Sequence, residues 1–389
     1  MILKLKKCLH LSKFFPPEVG GIETVVKDLS AGLARRGWAV EVICANVVRR
    51  TVVEFQETPV TRLATWFKFA KTSITPSLIR ELKTRDADII HIHLPNPFVN
   101  IAVFVARPNC KVVLHWHSDI VQQRYLKKIY APLQEWLLKR ADAIVATSPL
   151  YVQGSPCLRP YRQKVHIVPL GSQLRDSFDA SGDTLGHRAE KIRSEYGRKK
   201  IIFALGRFVK YKSFDVLIDA AQHLDDDAVV LIGGDGELKE SLVGRVVRLG
   251  LEEKVIFVGR IADDHLPAYY QACDVFCLPS TMRSEAFGLV LVEAMSYGRP
   301  VVATEIEGSG VPWVNQNGIT GFNVAPGDPV ALATALRRIL SDRELGARFG
   351  EAGKVRFEKM FSVARMIDGV EAVYEELLGR GQNEEGYRL

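Results

Sequence analysis

The sequence has no uninterrupted apolar run of about 18 residues, so nothing in it predicts a membrane-spanning helix. Its N-terminus, MILKLKKCLHLSKFFPPEVGG, is basic but lacks the continuous apolar segment and the small-residue cleavage site of a secretion signal. The six cysteines show no paired spacing, so we expect reduced thiols rather than a disulfide framework. Together these absences predict a soluble cytoplasmic protein.

Internal repeats and low-complexity tracts are also missing. The length of 389 residues favours two domains, since a domain usually holds about 100–200 residues. Residues 1–178 contain 26 Lys and Arg against 13 Asp and Glu, whereas residues 179–389 contain 26 against 32. A basic first half favours an anionic partner, such as a membrane surface, a nucleic acid or a phosphorylated substrate. No helix-turn-helix, zinc-finger or RNP-like pattern occurs, which disfavours nucleic acid.

Short apolar runs alternate with helical stretches in two series along the chain. The first series extends from LKKCLHLSKF to KVHIVPLG, and the second from IIFALGR to GFNVAP. Such runs are typical of parallel sheets that are covered on both faces. We therefore predict an α/β protein with two doubly wound, Rossmann-like domains facing each other across a cleft. The domains are 1–172 and 200–359, joined by a polar connection at 173–199 and followed by a helix and tail at 360–389.

Glycines and cations follow several predicted strands, at the edge where an open α/β sheet binds its ligands. Gly20 and Gly21 follow the first strand, and they either form a tight turn or let a phosphate approach the backbone. Arg207 and Lys212 follow the first strand of the second series, as a diphosphate clamp or as a solvated basic loop. The first loop lacks the GxGxxG pattern and the second strand lacks a terminal acidic residue, which argues against a dinucleotide site.

The stretch SEAFGLVLVEAMSYGRPVVAT places Glu285 before a predicted helix and Glu293 inside it. Carboxylates accept hydrogen bonds from the hydroxyls of a sugar or a ribose. Phe287, Gly288 and Leu289 would present free N–H groups at the start of that helix, which is a further anion site. Two glutamates at this spacing occur often by chance, so the spacing by itself has little weight.

Four motifs, taken in their order along the chain, resemble those of the retaining glycosyltransferases of family 4. They are the glycine loop, the Arg-x4-Lys loop, Gly-Gly-Asp-Gly at 233–236 and the Glu-x7-Glu stretch. The resemblance covers nearly the whole chain and implies the two-domain GT-B fold. It also implies a nucleoside-diphosphate sugar as donor, without a metal or other cofactor, and no Asp-x-Asp cation site is found where one would be expected. The stretch GRFVKYKSFDVLIDAA is similar to bacterial mannosyl- and rhamnosyltransferases of surface polysaccharide assembly, which favours GDP-mannose.

The resemblance also implies a role for each matching residue. Arg207 and Lys212 would neutralise the donor diphosphate, Glu285 would contact the transferred sugar, and Glu293 would hold the ribose. No general base is implied, since retention in this family is ascribed to front-face attack. The other implied contacts are Phe287, Gly288 and Leu289 at the phosphate and sugar, Gly259 and Arg260 at the nucleobase, Gly20 and Gly21 over the diphosphate, and His117 at the sugar, with Asp119 as a helper.

Two basic segments with aromatic residues, 62–85 and 124–140, suit the headgroup region of a membrane. The alternative is a pair of helices that pack on their own sheet with solvated lysines. With the basic first half, the segments favour peripheral attachment to an anionic membrane and a glycan or polyprenyl-diphosphate-linked acceptor.

Histidines recur at spacing two in His91-Ile92-His93 and His115-Trp116-His117, which puts each pair on one face of a strand and would suit zinc. No third ligand follows at a usual spacing, so we favour strand-end histidines facing the interdomain cleft. Two other functions remain open. One is a nucleotide-sugar epimerase, against which the Glu-x7-Glu arrangement counts. The other is an inactive nucleotide-sugar-binding scaffold, against which the presence of every donor-site residue counts.

Overall fold

The computed structural model describes residues 5–18, 20–69, 72–119, 124–172 and 182–379, without the side chains of 124–129 and 182–184. The chain divides into two compact units. One consists of Met1–Leu170 together with Val363–Leu389, and the other of Gly171–Ser362. The last helix, which the sequence assigns to neither domain, therefore belongs to the first unit.

The first unit is built on an eight-stranded sheet, counted over the residues described. Its strands are β1 (Lys7–Leu11), β2 (Ala39–Ala45), β3 (Val52–Gln56), β4 (Thr58–Leu63), β7 (Ile89–Leu94), β8 (Lys111–Trp116), β9 (Ala143–Ala146) and β10 (Val165–Ile167), and a separate antiparallel hairpin is formed by β5 (Phe67–Phe69) and β6 (Thr72–Ile74). The spatial order is β10-β9-β8-β7-β1-β2-β4-β3, and all neighbours are parallel except the edge pair β4 and β3. The helices are α1 (Gly21–Arg35), α2 (Ser77–Thr84), α3 (Pro97–Ala106), α4 (Arg124–Arg140), α5 (Pro149–Gly154) and α14 (Val363–Leu377).

In the described part of the second unit, six strands form one sheet in which every neighbouring pair is parallel. Its strands are β11 (Lys200–Leu205), β12 (Ala228–Gly233), β13 (Val255–Gly259), β14 (Val275–Leu278), β15 (Val301–Thr304) and β16 (Gly321–Val324). The spatial order is β13-β12-β11-β14-β15-β16. The helices are α6 (Gly182–Glu195), α7 (Phe214–Ala221), α8 (Lys239–Arg248), α9 (Leu266–Ala272), α10 (Leu289–Ser296), α11 (Val311–Val314), α12 (Pro329–Ser341) and α13 (Arg343–Met360).

Strand order determines where a ligand can bind in each sheet. The chain leaves β11 for β12 on one side and later returns to β14 on the other, so the direction of winding reverses between β11 and β14. The first unit has the same reversal between β1 and β7. At such a reversal the loops after the two strands diverge and leave a crevice at the carboxyl edge of the sheet.

Two stretches differ from their sequence predictions. The polar stretch 173–199, predicted as a connection, contains helix α6, which packs against α9 within the second unit. The basic segment 62–85, for which the alternative was a helix packed on its own sheet, is not one helix, because it contains the end of β4, the hairpin of β5 and β6, and the short helix α2. Aromatic and β-branched residues in Phe67–Phe69 and Thr72–Ile74 favour strands over a helix.

The second basic segment, 124–140, is helix α4, and its apolar side packs within its own unit. Leu137 and Leu138 are buried, and Trp136 packs edge-to-face on Phe104 with ring centroids 4.8 Å apart. For these residues the structure supports the alternative of a helix packed on its own domain. Over the described residues, no helix combines the length and the apolar character that crossing a bilayer requires.

Candidate active site

The loop after β11 is anchored by a buried aromatic residue. The Phe208 backbone N–H donates to the carbonyl of Asp235 (2.9 Å), and the Phe208 carbonyl accepts from the N–H of Leu238 (3.1 Å). Just before these contacts Gly234 has a φ of +134°, and a Cβ there would lie 2.0 Å from the carbonyl oxygen of Gly206. The Gly-Gly-Asp-Gly motif therefore serves close packing of the two loops that follow β11 and β12.

Lys212 and Glu285 meet in the crevice between β11 and β14. The Lys212 Nζ lies 2.7 Å from Oε2 of Glu285, and each side chain is 10% exposed. Ser280, just after β14, donates its hydroxyl to the same oxygen at 2.9 Å. Burial by itself lowers the pKa of Lys212, but the charge of Glu285 outweighs it and the pKa is raised. Lys212 is therefore a fixed cation at the carboxyl edge of the sheet.

Two further hydrogen bonds hold the Lys212 loop to the Glu285 loop. The backbone N–H of Thr281 donates to the carbonyl of Tyr211 (3.0 Å), and the Thr281 and Ser213 hydroxyls lie 2.6 Å apart. Ser213 has a φ of +50°, a left-handed conformation that is uncommon for a residue other than glycine. Such strain persists only where the surroundings determine it, and it clusters at functional sites.

Glu293 lies in the same unit, on helix α10, and is half-buried. The Tyr270 hydroxyl of α9 donates to its Oε2 at 2.6 Å. Burial raises the pKa of Glu293 to about 7, against the lowering effect of the Tyr270 hydrogen bond. Near neutral pH this carboxyl group is therefore divided between its neutral and its ionised form, and contact with a hydroxyl-bearing ligand would shift that balance.

Helix α10 begins at the turn predicted to contact phosphate and sugar. Gly288 caps the helix with a φ of +81°, and Leu289 is its first residue. The Phe287 side chain is buried against Trp313 and Phe361, with ring centroids 6.4 and 5.9 Å away. Phe287 therefore anchors the turn, while the helix N-terminus presents backbone N–H groups that have no partner within the helix.

The remaining predicted residues of this unit lie at neighbouring strand ends. Arg207 is exposed in the loop after β11, two residues beyond the strand. Gly259 ends β13 with a φ of +74°, and its carbonyl accepts a hydrogen bond from the N–H of Gly234 at 2.8 Å. The next residue, Arg260, is exposed. The predicted nucleobase region thus adjoins the Gly-Gly-Asp-Gly loop.

In the first unit, Gly20 caps helix α1 and Gly21 begins it, and a Cβ on Gly21 would have no atom within 4 Å. Asp119, after β8, accepts from Trp116 Nε1 (2.8 Å) and from the Ser155 hydroxyl (2.9 Å). These contacts use the Asp119 carboxylate to hold its own loop, and its role as a helper stays a prediction.

His117 follows β8 directly and is 6% exposed. The other predicted histidines, His91, His93 and His115, are in the interior of the first unit, with exposures of 0–2%, rather than at a strand-end surface. Sequence reasoning also did not predict that a third histidine lies beside the pair on β7. Because β8 runs beside β7, His91, His93 and His115 each have a ring nitrogen within 4.8 Å of those of the other two.

The structure thus brings Lys212 and Glu285 into direct contact and gives Glu293 a partner in the same unit. Sequence reasoning missed Ser280, Thr281 and Tyr270. Ser280 and Thr281 directly follow a predicted buried strand, and that position was a usable signal. Tyr270 lies on a helix, and no spacing in the sequence connects it to Glu293.

Comparisons with known proteins identify the family. Residues 19–174 match the profile of Glycosyltransferase Family 4, and residues 188–356 match that of Glycosyl transferases group 1. The O-antigen chain mannosyltransferase C of Escherichia coli is 35% identical over 376 residues, which cover 96% of this chain and 99% of that protein. The chain belongs to glycosyltransferase family 4. The glycosyltransferase resemblance noted in the sequence is thereby confirmed.

Two further comparisons agree with this membership. This glycosyltransferase is 32% identical to D-rhamnosyltransferase WbpZ of Pseudomonas aeruginosa over 362 residues, which cover 92% of each chain. The structure of sucrose-phosphate synthase from Thermosynechococcus elongatus matches with a TM-score of 0.78 at 22% identity, covering 97% of this chain and 100% of that one. The expected GT-B fold class of two Rossmann-like units is confirmed.

Proposed function

We propose that this glycosyltransferase transfers a hexose from a nucleoside-diphosphate sugar to a glycan or polyprenyl-diphosphate-linked acceptor during polysaccharide assembly. The buried Lys212–Glu285 pair at the carboxyl edge of the second sheet carries the proposal, because it places a cation and a hydroxyl acceptor side by side. The activities in the names of the two relatives support mannose or rhamnose as the sugar. We propose GDP-mannose as the donor.

The proposed mechanism follows from where charge develops. Breaking the anomeric C–O bond leaves a nucleoside diphosphate with additional negative charge. Arg207, Lys212 and the N–H groups at the start of α10 would stabilise that charge, and such preorganised donors are usually the largest catalytic contribution. Lys212 has three N–H donors, so it can keep one on Glu285 and direct another at a phosphate oxygen.

Glu285 and Glu293 take the two hydroxyl-bearing parts of the donor in this proposal. Glu285 would accept from the transferred sugar and Glu293 from the ribose, with Tyr270 fixing the orientation of the Glu293 carboxylate. We further propose retention of anomeric configuration by front-face attack, with the donor phosphate accepting the proton of the acceptor hydroxyl. No metal or other cofactor takes part in these steps.

We also propose that the first unit contacts an anionic membrane. Trp66, Phe67 and Phe69 are 59%, 55% and 60% exposed at the β5–β6 hairpin, and Lys68 between them is exposed as well. A hydrogen bond from Thr65 N–H to the Val48 carbonyl (3.2 Å) places the loop with exposed Arg49 and Arg50 beside this hairpin. Aromatic side chains among cations favour a lipid headgroup region, where a polyprenyl-linked acceptor would be presented.

Calorimetric titration with GDP, UDP, ADP and dTDP, and then with the matching sugar nucleotides, tests the donor assignment. Binding of GDP alone, followed by transfer from GDP-mannose, is the expected result. Binding of a different nucleotide would change the donor and keep the enzyme class. A protein that bound no nucleotide would contradict the donor site and favour the inactive scaffold.

A further inference from the structure

Five histidines of the first unit lie together on one face of its sheet. In the strand register His10 of β1 lies beside His91 of β7, and His93 of β7 lies beside His115 of β8. His117 follows two residues after His115 and therefore points to the same face. All five side chains are buried, with exposures between 0% and 6%. We call this group the histidine layer.

Hydrogen bonds connect the layer through Tyr374 into one chain, and the Cys8 thiol is a side contact on the Tyr374 hydroxyl. His117 Nε2 lies 3.0 Å from His93 Nδ1, and His93 Nε2 lies 3.1 Å from His10 Nδ1. His10 Nε2 lies 3.5 Å from the hydroxyl of Tyr374, on helix α14, and this hydroxyl also contacts His91 Nδ1. His91 Nε2 then lies 3.2 Å from His115 Nδ1. The end atoms, His117 Nδ1 and His115 Nε2, have no partner among the described residues.

The bonding capacity of imidazole restricts how protons can be placed along this chain. Burial lowers the pKa of all five histidines, to about 3 for His10 and His117 and well below the usual value for the others, so the rings are neutral. A neutral ring has one N–H and one bare nitrogen, so it donates to one neighbour and accepts from the other. Every strong hydrogen bond of the chain is made only when all rings donate in the same direction. If His10 and His91 both donated to the Tyr374 oxygen, its hydroxyl would be left with the Cys8 sulfur, which is a weak acceptor.

The two permitted directions are distinct at each ring. In one direction all five histidines carry their proton on Nε2, and the Tyr374 hydroxyl donates to His91. In the other direction all five carry it on Nδ1, and the Tyr374 hydroxyl donates to His10. Between neighbouring rings, a mixture of the two would put two N–H groups, or two bare nitrogens, opposite each other in a buried site, which costs free energy.

We propose that the histidine layer is a tautomer relay that sets the proton position on His117, with Tyr374 as its junction and His93 and His10 as positioning residues. The relay connects helix α14, at the end of the chain, with the residue after β8. The relay itself depends only on these contacts. Its use in the reaction rests on the proposed function, because the resemblance assigns His117 to the donor sugar.

A metal site is the rival interpretation, since His91, His93 and His115 offer nitrogens within 4.8 Å of one another. Both nitrogens of His91 and both nitrogens of His93 already have a ring or hydroxyl partner. An ion would have to displace some of these hydrogen bonds, so the observed arrangement favours the relay.

The test is a long-range ¹H–¹⁵N spectrum of the full-length protein with ¹⁵N-labelled histidine, which reports the protonated nitrogen of each ring. The chain has nine histidines, and single substitutions of the four outside the layer, His166, His187, His223 and His265, identify their signals and leave those of the five. We expect all five to show one tautomer. Mixed tautomers in the native protein would overturn the relay. Addition of Zn²⁺ should leave the five rings unchanged, and loss of their N–H signals on stoichiometric Zn²⁺ would replace the relay by a metal site.

Tyr374→Phe removes the junction and separates three rings, His10, His93 and His117, from two, His91 and His115. Both ends of each part then lack a polar partner, so the substitution does not select a direction, but the hydrogen bonds inside each part are kept only when its rings share one tautomer. We therefore expect one tautomer across the three rings and one across the two, without the agreement between the parts that the Tyr374 hydroxyl imposes in the native chain. Mixed tautomers within either part of the folded variant would overturn the relay. Cys8→Ala is the matched control, because the Cys8 thiol contacts the same hydroxyl (3.3 Å) but lies outside the chain, and it should keep the native pattern.

Transfer assays on the same variants test the positioning role. If the spectra show that Tyr374→Phe changes the tautomer of His117, we expect the transfer rate to fall roughly 2- to 10-fold, the range of one hydrogen bond. If His117 keeps its tautomer in the variant, the rate should stay native. A rate that does not follow the tautomer of His117 overturns the positioning role. Failure of the proposed donor chemistry would leave the spectra unaffected, so the two failures are distinguishable.

Discussion

The pKa of Glu293 leads to a quantitative prediction about nucleotide binding. Burial raises this pKa to about 7, so the carboxyl group is roughly nine-tenths protonated at pH 6 in the free enzyme. Hydroxyl groups of a ribose would donate to the ionised form and lower the pKa on binding. A depression of about two units would release about 0.8 of a proton at pH 6, and would raise affinity roughly 50-fold between pH 5 and pH 8. Affinity should therefore increase as pH rises through 7.

Calorimetry in two buffers with different ionisation enthalpies measures the proton release directly. Glu293→Gln is the control, because it keeps the size of the side chain and contributes no proton, while the ligand's own ionisation is common to both proteins. Tyr270→Phe removes a hydrogen bond that lowers the pKa of Glu293, so it should move the midpoint of the pH dependence upward. Equal proton release in the native protein and in Glu293→Gln would refute the reasoning.

Four other perturbations have expected outcomes. Arg207→Ala should reduce the transfer rate by roughly 10²–10³ without unfolding the protein. Arg248→Ala on α8 is the control and should have little effect. Near-native turnover by Arg207→Ala would contradict the diphosphate clamp. Phe67→Ser should weaken binding to anionic vesicles at low salt, as measured by cosedimentation, while Val243→Ser, also an exposed apolar residue, should not. Equal vesicle binding by both variants would count against membrane contact. Gly234→Ala should lower thermal stability and nucleotide affinity together, because its Cβ would lie 2.0 Å from a backbone carbonyl oxygen. A native melting temperature would contradict this and show that the loop relaxes freely. Treatment with EDTA should leave transfer unchanged, and loss of activity that added Mg²⁺ or Mn²⁺ restores would refute metal independence.

Much of the fold and of the donor site follows from local patterns in the sequence. Buried apolar runs separated by helical stretches predicted the described parallel strands of both sheets except β4. Because parallel strands end at the same edge, residues after β11 and after β14 were expected at one edge, and the pairing of β11 with β14 brings Lys212 and Glu285 into contact.

What the sequence did not predict depends on contacts between elements that are distant along the chain. Tyr270 reaches Glu293 from another helix, and Tyr374 reaches His91 from the end of the chain. Neither contact leaves a spacing that could be recognised. The hairpin of β5 and β6 was missed for another reason, since its lysines and aromatic residues also fit an amphipathic helix and only the strand pairing decides between them.

The assignment of α14 to the first unit has a consequence for biosynthesis. The ribosome completes residues 1–170 first. The helix that supplies Tyr374 and the acidic partners of Arg36 is made only after residues 171–362. The intervening unit, 171–362, is contiguous and can fold while synthesis continues. The first unit remains incomplete during this time, with its histidine layer and Trp38 not yet covered by α14. A nascent chain arrested before residue 363 would therefore hold one finished domain and one incomplete domain, and the incomplete one is the N-terminal domain, although it left the ribosome first.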